Sequence, residues 1–280
     1  MNVPSWAALA ASEAASAPKT HDAETRYWNR VGEAWTIGAP LDRLWREHSD
    51  AVNGALLERW LPERAGLVLK TDLFDEAVGS GLMGGLERRG RAFGIDTSIA
   101  IARSAVERSE LRRAACADVR QLPFGDAGFD AAVSNSTLDH FGSFEELALS
   151  LRELQRVLRP GGVLLLTLDN PVNPLVALRN ALPFPLLNRV GLVPYYVGVT
   201  CGPRRLRRLL EAVGFQVSAM DAVLHCPRVL AVALCRAVER SDSAWARRVT
   251  LRLLGACEAL SGWPLRYLTG HFVAVRAIKK

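Results

Sequence analysis

Residues 129–170 read FDAAVSNSTLDHFGSFEELALSLRELQRVLRPGGVLLLTLDN, and this stretch decides the fold. Its two apolar segments, Phe129–Ser134 and Val163–Leu168, have the length and composition of buried strands. Between them, apolar residues recur at helical spacing over Phe144–Leu158, and the turn Arg159–Gly162 contains a Pro-Gly pair that stops the helix. A strand, a helix and a second strand in this order predict a βαβ unit within a parallel sheet.

The alternation of strands and helices continues on both sides of this unit. Towards the N-terminus, the pattern predicts three strands and one helix: Leu67–Lys70, Ala92–Asp96, Ile99–Ser109 (the helix) and Ala114–Ala117. After residue 169 the rhythm breaks, and only two further strands are predicted, at Phe215–Met220 and His271–Ala277. Seven strands in this arrangement predict an α/β, Rossmann-like fold with a mostly parallel sheet.

We predict one domain over residues 21–280, preceded by a disordered arm at residues 1–20. Within the domain we expect these segments in chain order: N-terminal helices at 21–62, a core at 63–220 with an insert at 171–203, a helical insertion at 221–269 and a last strand at 270–280. The insertion contains two amphipathic helices, Arg228–Arg240 and Ala244–Leu260.

The composition is that of a globular protein, with 49% hydrophobic and 23% charged residues. The net charge of +6 fits an anionic substrate, a membrane surface or nucleic acid as well as simple solubility. Five cysteines without a C-x-x-C pair predict a reduced, cytoplasmic chain with neither disulfides nor a metal site. No apolar run approaches the roughly 20 residues that a membrane span needs.

Carboxylates follow the first three predicted strands. They are Asp72, Asp96 and Asp118. In an open α/β sheet, ligands bind beyond the carboxyl ends of the strands, and one carboxylate can accept hydrogen bonds from both hydroxyls of a ribose. The sequence therefore predicts a nucleoside-containing ligand at this edge of the sheet.

An ordered series of short motifs resembles that of the class I S-adenosylmethionine-dependent methyltransferases. The series is Gly94-Ile95-Asp96, Ala117-Asp118-Val119, Leu122-Pro123-Phe124 with Phe129-Asp130, and Leu158-Arg159-Pro160-Gly161-Gly162. The resemblance implies that the last strand is antiparallel and that S-adenosylmethionine is the cofactor. It further implies that Asp96 binds the ribose, Asp118 the adenine amino group and Val119 the ring, with Ser134 also at the cofactor.

The first motif departs from the family pattern, which has an acidic residue and then closely spaced glycines directly after strand one. Without a gap, the acidic position is Lys70, which has the wrong charge for the ammonium group of the cofactor. With a longer loop, Asp72 takes that position, and Gly79 and Gly81 line the methionine end. We prefer the alignment with the longer loop. The alternative is a protein that keeps the fold and no longer binds the cofactor.

A literal G-x-G-x-x-G also occurs at Gly79, Gly81 and Gly84, which leaves a nicotinamide-dependent enzyme as a further alternative. Several residues, including carboxylates, separate it from the strand, and a carboxylate would repel a pyrophosphate. Asp169-Asn170-Pro171 resembles a DNA amino-methylation motif but follows the wrong strand and lacks the stacking aromatic residue. A nucleic-acid substrate is therefore not predicted.

The resemblance places His140 beside the transferred methyl group as the candidate catalytic base, and Asp139 is a candidate to orient it. Asn170 and Tyr195 are candidates for binding a polar group of the acceptor. The apolar insert Leu182–Val199 and the two helices of the insertion predict a lid over a lipophilic small-molecule acceptor such as a specialised metabolite, a quinone or a lipid. A helical hairpin that contacts the sheet, a second subunit or a membrane surface is the alternative.

Overall fold

The computed structural model describes residues 21–37, 42–109, 111, 113–189, 192–193 and 195–280. The predicted arm at residues 1–20 lies outside the described residues. The strands of the sheet are β1 Leu67–Lys70, β2 Arg91–Asp96, β3 Ala114–Cys116, β4 Phe129–Asn135, β5 Leu158–Asp169, β6 Phe215–Val223 and β7 Phe272–Lys279. They are arranged in the order β3-β2-β1-β4-β5-β7-β6.

The first five strands pair in parallel, and β7 is antiparallel to both of its neighbours. The predicted fold class and the antiparallel last strand are thereby confirmed. The helices of the described residues are α1 His21–Ile37, α2 Arg43–Trp60, α3 Phe74–Val78, α4 Met83–Glu87, α5 Ile99–Ser109, α6 Phe144–Val157, α7 Pro174–Ala181, α8 Phe184–Arg189, α9 Pro203–Ala212, α10 Arg228–Glu239, α11 Ala244–Cys257 and α12 Arg266–Thr269.

Several strand boundaries differ from the prediction because pairing extends beyond the apolar residues. The β5 strand begins at Leu158, which pairs with Phe129 across an irregularity in β4, so the predicted turn lies within the strand. The β6 strand continues to Val223, which pairs with Phe272. Pairing to β7 holds the extension of β6, whereas Arg159–Gly162 lies between the paired residues Leu158 and Val163 as an irregularity in which Gly161 has a φ of +77°.

Helix α6 illustrates how local sequence fixes an element of the core. Ser143 caps its N-terminus in a reciprocal arrangement with Glu146, in which each side chain accepts from the backbone N–H of the other residue. Three residues of one face, Leu147, Leu151 and Leu154, are fully buried against the sheet. The opposite side of the sheet is covered by α2 and α5, so both faces of the sheet are buried.

Candidate active site

A cavity of about 930 Å³ lies beyond the carboxyl ends of the first four strands. Its walls include five of the sequence-predicted site residues: Asp72, Asp96, Val119, His140 and Tyr195. This volume is at the upper end of the range for small-molecule sites, where an apolar wall with a few polar groups is the usual composition. The cavity is therefore large enough to hold two small ligands at once.

A buried ion cluster closes the end of β1. The ammonium of Lys70 donates to Glu76 Oε2 at 2.9 Å, to the carbonyl of Asp72 at 2.7 Å and to Asp72 Oδ1 at 3.2 Å. Burial alone would lower the pKa of Lys70, but the carboxylates of Asp72 and Glu76 outweigh it and raise that pKa above its usual value. Lys70 and Glu76 are fully buried, whereas Asp72 reaches the cavity wall.

Glu76 explains Gly81, one of the two glycines that were predicted to line the methionine end. Its Oε1 accepts from the backbone N–H groups of Leu82 and Met83, at 2.8 and 3.1 Å. Gly81 has a φ of +60°, and a Cβ there would overlap the Glu76 carboxylate. Gly81 thus accommodates the Glu76 side chain, whereas a Cβ at Gly79 would meet the Asp75 carbonyl at 3.3 Å, and neither glycine is part of the cavity wall. The N–H groups that a pyrophosphate would need are already bound, which disfavours the dinucleotide alternative.

The carboxylate of Asp96 lies at the end of β2, in the cavity wall. Its Oδ2 accepts from the backbone N–H of Leu73 at 3.0 Å and its Oδ1 from that of Ser98 at 2.8 Å. Burial raises the pKa of Asp96 to about 7, because these two bonds offset only part of the cost of removing the charge from water. Each oxygen keeps a further lone pair that can accept a hydroxyl proton of a ligand.

At the end of β3, the structure separates Val119 from Asp118. Val119 lines the cavity and is almost fully buried. Asp118 is not among the lining residues, because both of its oxygens accept from the guanidinium of Arg120, at 2.7 to 3.1 Å. Arg120 itself lines the cavity and also binds Glu24 of α1 at 2.6 Å. The side chain presented to a ligand here is therefore Arg120.

His140 lies in a short 3-10 turn, Leu138–His140, directly after β4. Its Nδ1 lies 2.8 Å from the carbonyl oxygen of Tyr196, which can only accept, so this nitrogen carries a proton. In the neutral ring, Nε2 is then the basic nitrogen, and it lies 3.9 Å from Asp139 Oδ1. The ring contacts Trp28 and Tyr195, with centroid distances of 4.9 and 5.5 Å, and the side chain is only 18% exposed.

The predicted apolar insert reaches this site through its C-terminal end. Gly198 N donates to the carbonyl of Asp139 at 2.7 Å, and Val199 N donates to that of Phe141 at 2.8 Å. A Cβ at Gly198 would overlap the Phe141 carbonyl, so only glycine permits this approach. The insert is thereby held beside the turn that carries His140, and Tyr195 packs on the histidine.

Helix α10 lines the cavity with its first turns, from Arg228 to Arg236, whereas no residue of α11 does. Helix α11 packs instead on α2 and α10. One of the two predicted lid helices therefore faces the cavity, and the other supports it from outside.

Two further predicted site residues lie outside the cavity wall. Asn170 is fully buried, and its amide donates to the carbonyls of Tyr267 and Gly270 at 2.6 and 2.9 Å, which fixes the entry to β7. Ser134 is fully buried in β4, and its hydroxyl has no hydrogen-bond partner among the described residues. Neither side chain has access to a ligand in the cavity.

The sequence reasoning missed three contributors to the site. Helix α1 covers the cavity with Tyr27 and Trp28, and the Tyr27 hydroxyl accepts from the backbone N–H of Tyr196 at 2.7 Å. Arg228 and His271 also line the wall. Tyr27 and Trp28 are adjacent aromatic residues in the first helix, and this was the available signal. Arg228 and His271 belong to no motif, so the sequence contained no signal that they line the site.

A buried acidic pair lies behind His140. Burial and the neighbouring Asp169 raise the pKa of Asp139. Burial would also raise the pKa of Asp169, but His271 and Arg179 outweigh it and hold that pKa well below its usual value. Arg179 binds Asp169 at 2.6 Å, and His271 Nε2 lies 3.3 Å from Asp169 Oδ1. Of the two carboxyl groups, that of Asp169 is therefore the one that stays ionised more readily.

Comparisons with known proteins agree with this geometry. A family model described as "Methyltransferase domain" matches residues 75–166. The 2-phytyl-1,4-naphtoquinone methyltransferase of Nostoc punctiforme is 31% identical over 199 residues, which cover 63% of this chain and 80% of that protein. The "Probable tRNA methyltransferase 9B" of Mus musculus is 43% identical over 49 residues, but the match covers 18% of this chain and 11% of that protein.

The fold is shared with solved structures at low identity. One is an S-adenosylmethionine-dependent methyltransferase from Thermotoga maritima, described as a possible histamine N-methyltransferase. It superposes with a TM-score of 0.55 at 17% identity, over 91% of this chain and 98% of that one.

Proposed function

The chain belongs to the class I S-adenosylmethionine-dependent methyltransferases, and we propose that it transfers a methyl group to a lipophilic small molecule. The observation that carries the proposal is the continuity of the cavity. The carboxylates of Asp72 and Asp96 lie in the same wall as the apolar side chains of the insert and of α10. Such a cavity supplies polar recognition for the cofactor and apolar enclosure for the acceptor.

The residues in the wall fit S-adenosylmethionine. We assign the ribose hydroxyls to Asp96, whose oxygens keep free lone pairs, and the adenine ring to the apolar surface of Val119. We assign the ammonium group of the cofactor to Asp72, because it is the carboxylate of the ion cluster that reaches the cavity. The cofactor, when bound, supplies a methyl group activated by sulfonium charge. Asp118 is assigned an indirect role, since it holds Arg120 in place.

We assign the removal of the acceptor proton to His140. The Tyr196 carbonyl fixes the tautomer in which Nε2 is basic, and the packed ring of Trp28 keeps the imidazole in one orientation. When Nε2 takes the proton, the charge of the imidazolium favours the ionised form of Asp139, whose Oδ1 lies 3.9 Å away. Tyr195, beside the histidine, and Arg228 are the candidates for binding a polar group of the acceptor.

The apolar part of the wall supports a lipophilic acceptor. It includes leucines and aromatic residues from three separate segments, α1, the insert and α10. A relative at 31% identity is named for a naphthoquinone that carries a phytyl chain, and this supports the same class of acceptor. A nucleic-acid substrate has no such support, because the tRNA methyltransferase match covers a small part of either chain.

The proposal is tested with the purified chain in two steps. Calorimetric titration with S-adenosylhomocysteine and with NAD should show binding of the first alone. Transfer of radioactive methyl from S-adenosylmethionine should then be measured to a panel that pairs alkylated hydroquinones with small polar amines and acids. Transfer to the hydroquinones alone is expected. Transfer to the polar compounds alone would refute the lipophilic assignment, and NAD binding would refute the assignment of the cofactor site.

A further inference from the structure

Six large apolar residues line the cavity and are also exposed to solvent. They are Leu175, Leu178, Leu182, Leu192, Val229 and Leu230, here called the leucine rim. Their exposed fractions range from 40% to 68%. A side chain that belongs to the cavity wall and to the outer surface lies at the mouth, so the rim surrounds the opening through which the acceptor enters.

Five of the six residues of the leucine rim lie on α7, at its C-terminal end or in the first turn of α10, and Leu192 lies after α8. Leu175, Leu178 and Leu182 follow one another at intervals of three and four residues, which places them along one side of α7 and its C-terminal end. Val229 and Leu230 lie in the first turn of α10. Contiguous apolar surface of this kind is rare on soluble proteins unless something covers it.

The charge of the chain around the rim indicates what covers it. From Asn170 to Leu210 there is no aspartate and no glutamate, whereas arginine occurs six times, at 179, 189, 204, 205, 207 and 208. Arg189 and the four arginines of α9 are exposed. Arg179 binds Asp169 and Arg207 binds Glu211, whereas Arg189, Arg204, Arg205 and Arg208 are exposed and lie outside these two ion pairs. Apolar side chains in a segment with this excess of arginine match a bilayer that contains anionic lipids, where the leucines enter the acyl boundary and the arginines face the head groups.

We propose that the leucine rim docks on the surface of an anionic lipid bilayer, so that the acceptor passes from the membrane into the cavity without crossing water. This inference rests on the proposed lipophilic acceptor. It requires only surface attachment, and no helix of the described residues has the length and hydropathy to cross a bilayer. The rim must therefore act by partial insertion of its side chains.

The test is sedimentation of the full chain with vesicles. Binding is expected to phosphatidylcholine vesicles that contain about a quarter phosphatidylglycerol, and to weaken at high salt and on phosphatidylcholine alone. The double variant Leu178→Asp/Leu230→Asp should bind the anionic vesicles at least about tenfold more weakly, because it places charge at the mouth. The matched control is Leu149→Asp on α6, which is 43% exposed and outside the cavity wall. It should bind as the unmodified chain does.

Thermal stabilisation by S-adenosylhomocysteine shows whether each variant is folded and keeps its cofactor site. Loss of vesicle binding with that stabilisation intact supports the inference. Vesicle binding by the double variant equal to that of the unmodified chain overturns it, as does an unmodified chain that stays in the supernatant. A dimer in solution that the double variant dissociates would assign the rim to a second copy instead. Transfer to detergent-solubilised hydroquinones is measured separately, so failure of membrane docking leaves the proposed function standing.

Discussion

Replacing Lys70 with methionine tests the buried ion cluster at the end of β1. The variant removes the ammonium that binds Glu76 at 2.9 Å and leaves a fully buried carboxylate with only two backbone N–H partners. Breaking a buried ion pair from one side costs about 3–5 kcal/mol of unfolding free energy. For a chain of this size, that corresponds to a fall of about 6–20 °C in melting temperature.

The measurement is urea denaturation followed by circular dichroism, with a thermal melt beside it. The control is the double variant Lys70→Met/Glu76→Gln, which removes the charge together with its partner and keeps an amide oxygen for the N–H groups of Leu82 and Met83. It should recover more than half of the lost stability. A single variant as stable as the unmodified chain, or a double variant no better than the single, would show that this reasoning is wrong.

The other predictions concern the active site and one helix cap. Because Asp96 has a pKa of about 7 and accepts the ribose hydroxyls best when ionised, affinity for S-adenosylhomocysteine should rise as the pH rises through 7, with about a tenfold loss at pH 6. Calorimetry across this range checks it, and Asp96→Asn should remove the dependence. His140→Ala should lower turnover about 100-fold or more while leaving that affinity unchanged, as titration and initial rates would show. Ser143→Ala should cost about 1 kcal/mol of unfolding free energy in urea, by loss of the α6 cap. An unchanged denaturation midpoint would contradict this.

The sheet could be predicted because its strands are short, apolar and separated by helices of clear period. Buried parallel strands leave this signal in any sequence. The pairing of one strand with another leaves no such signal in the sequence. The prediction therefore ended β6 at Met220, before the residues that pairing with β7 holds extended. The carboxylates at the first two strand ends could be predicted for a related reason, since the carboxyl ends of parallel strands meet at one edge.

The residues that line the site were harder to predict wherever a side chain can bind either a ligand or another part of the protein. Asp118 turns to Arg120, and Asn170 turns to backbone carbonyls of the loop before β7. Both side chains suit either use. The choice at Asn170 depends on partners about 100 residues away, and the choice at Asp118 depends on Arg120, which Glu24 of α1 holds in turn. The role of α1 was missed for the same reason, because Glu24 and Tyr27 find their partners about 96 and 169 residues away.

The position of α1 has a consequence for how the enzyme exchanges its ligands. Through Glu24 the helix is bound to Arg120, beside the surface assigned to adenine, and through Tyr27 and Trp28 it is bound to the insert and to His140. A movement that opens the path for one ligand therefore breaks contacts around the other. By thermodynamic linkage, any gain in acceptor affinity that the bound cofactor causes through α1 equals the gain in cofactor affinity that the acceptor causes. Because α1 contacts both halves of the cavity, we expect the acceptor to bind more weakly when the cofactor site is empty.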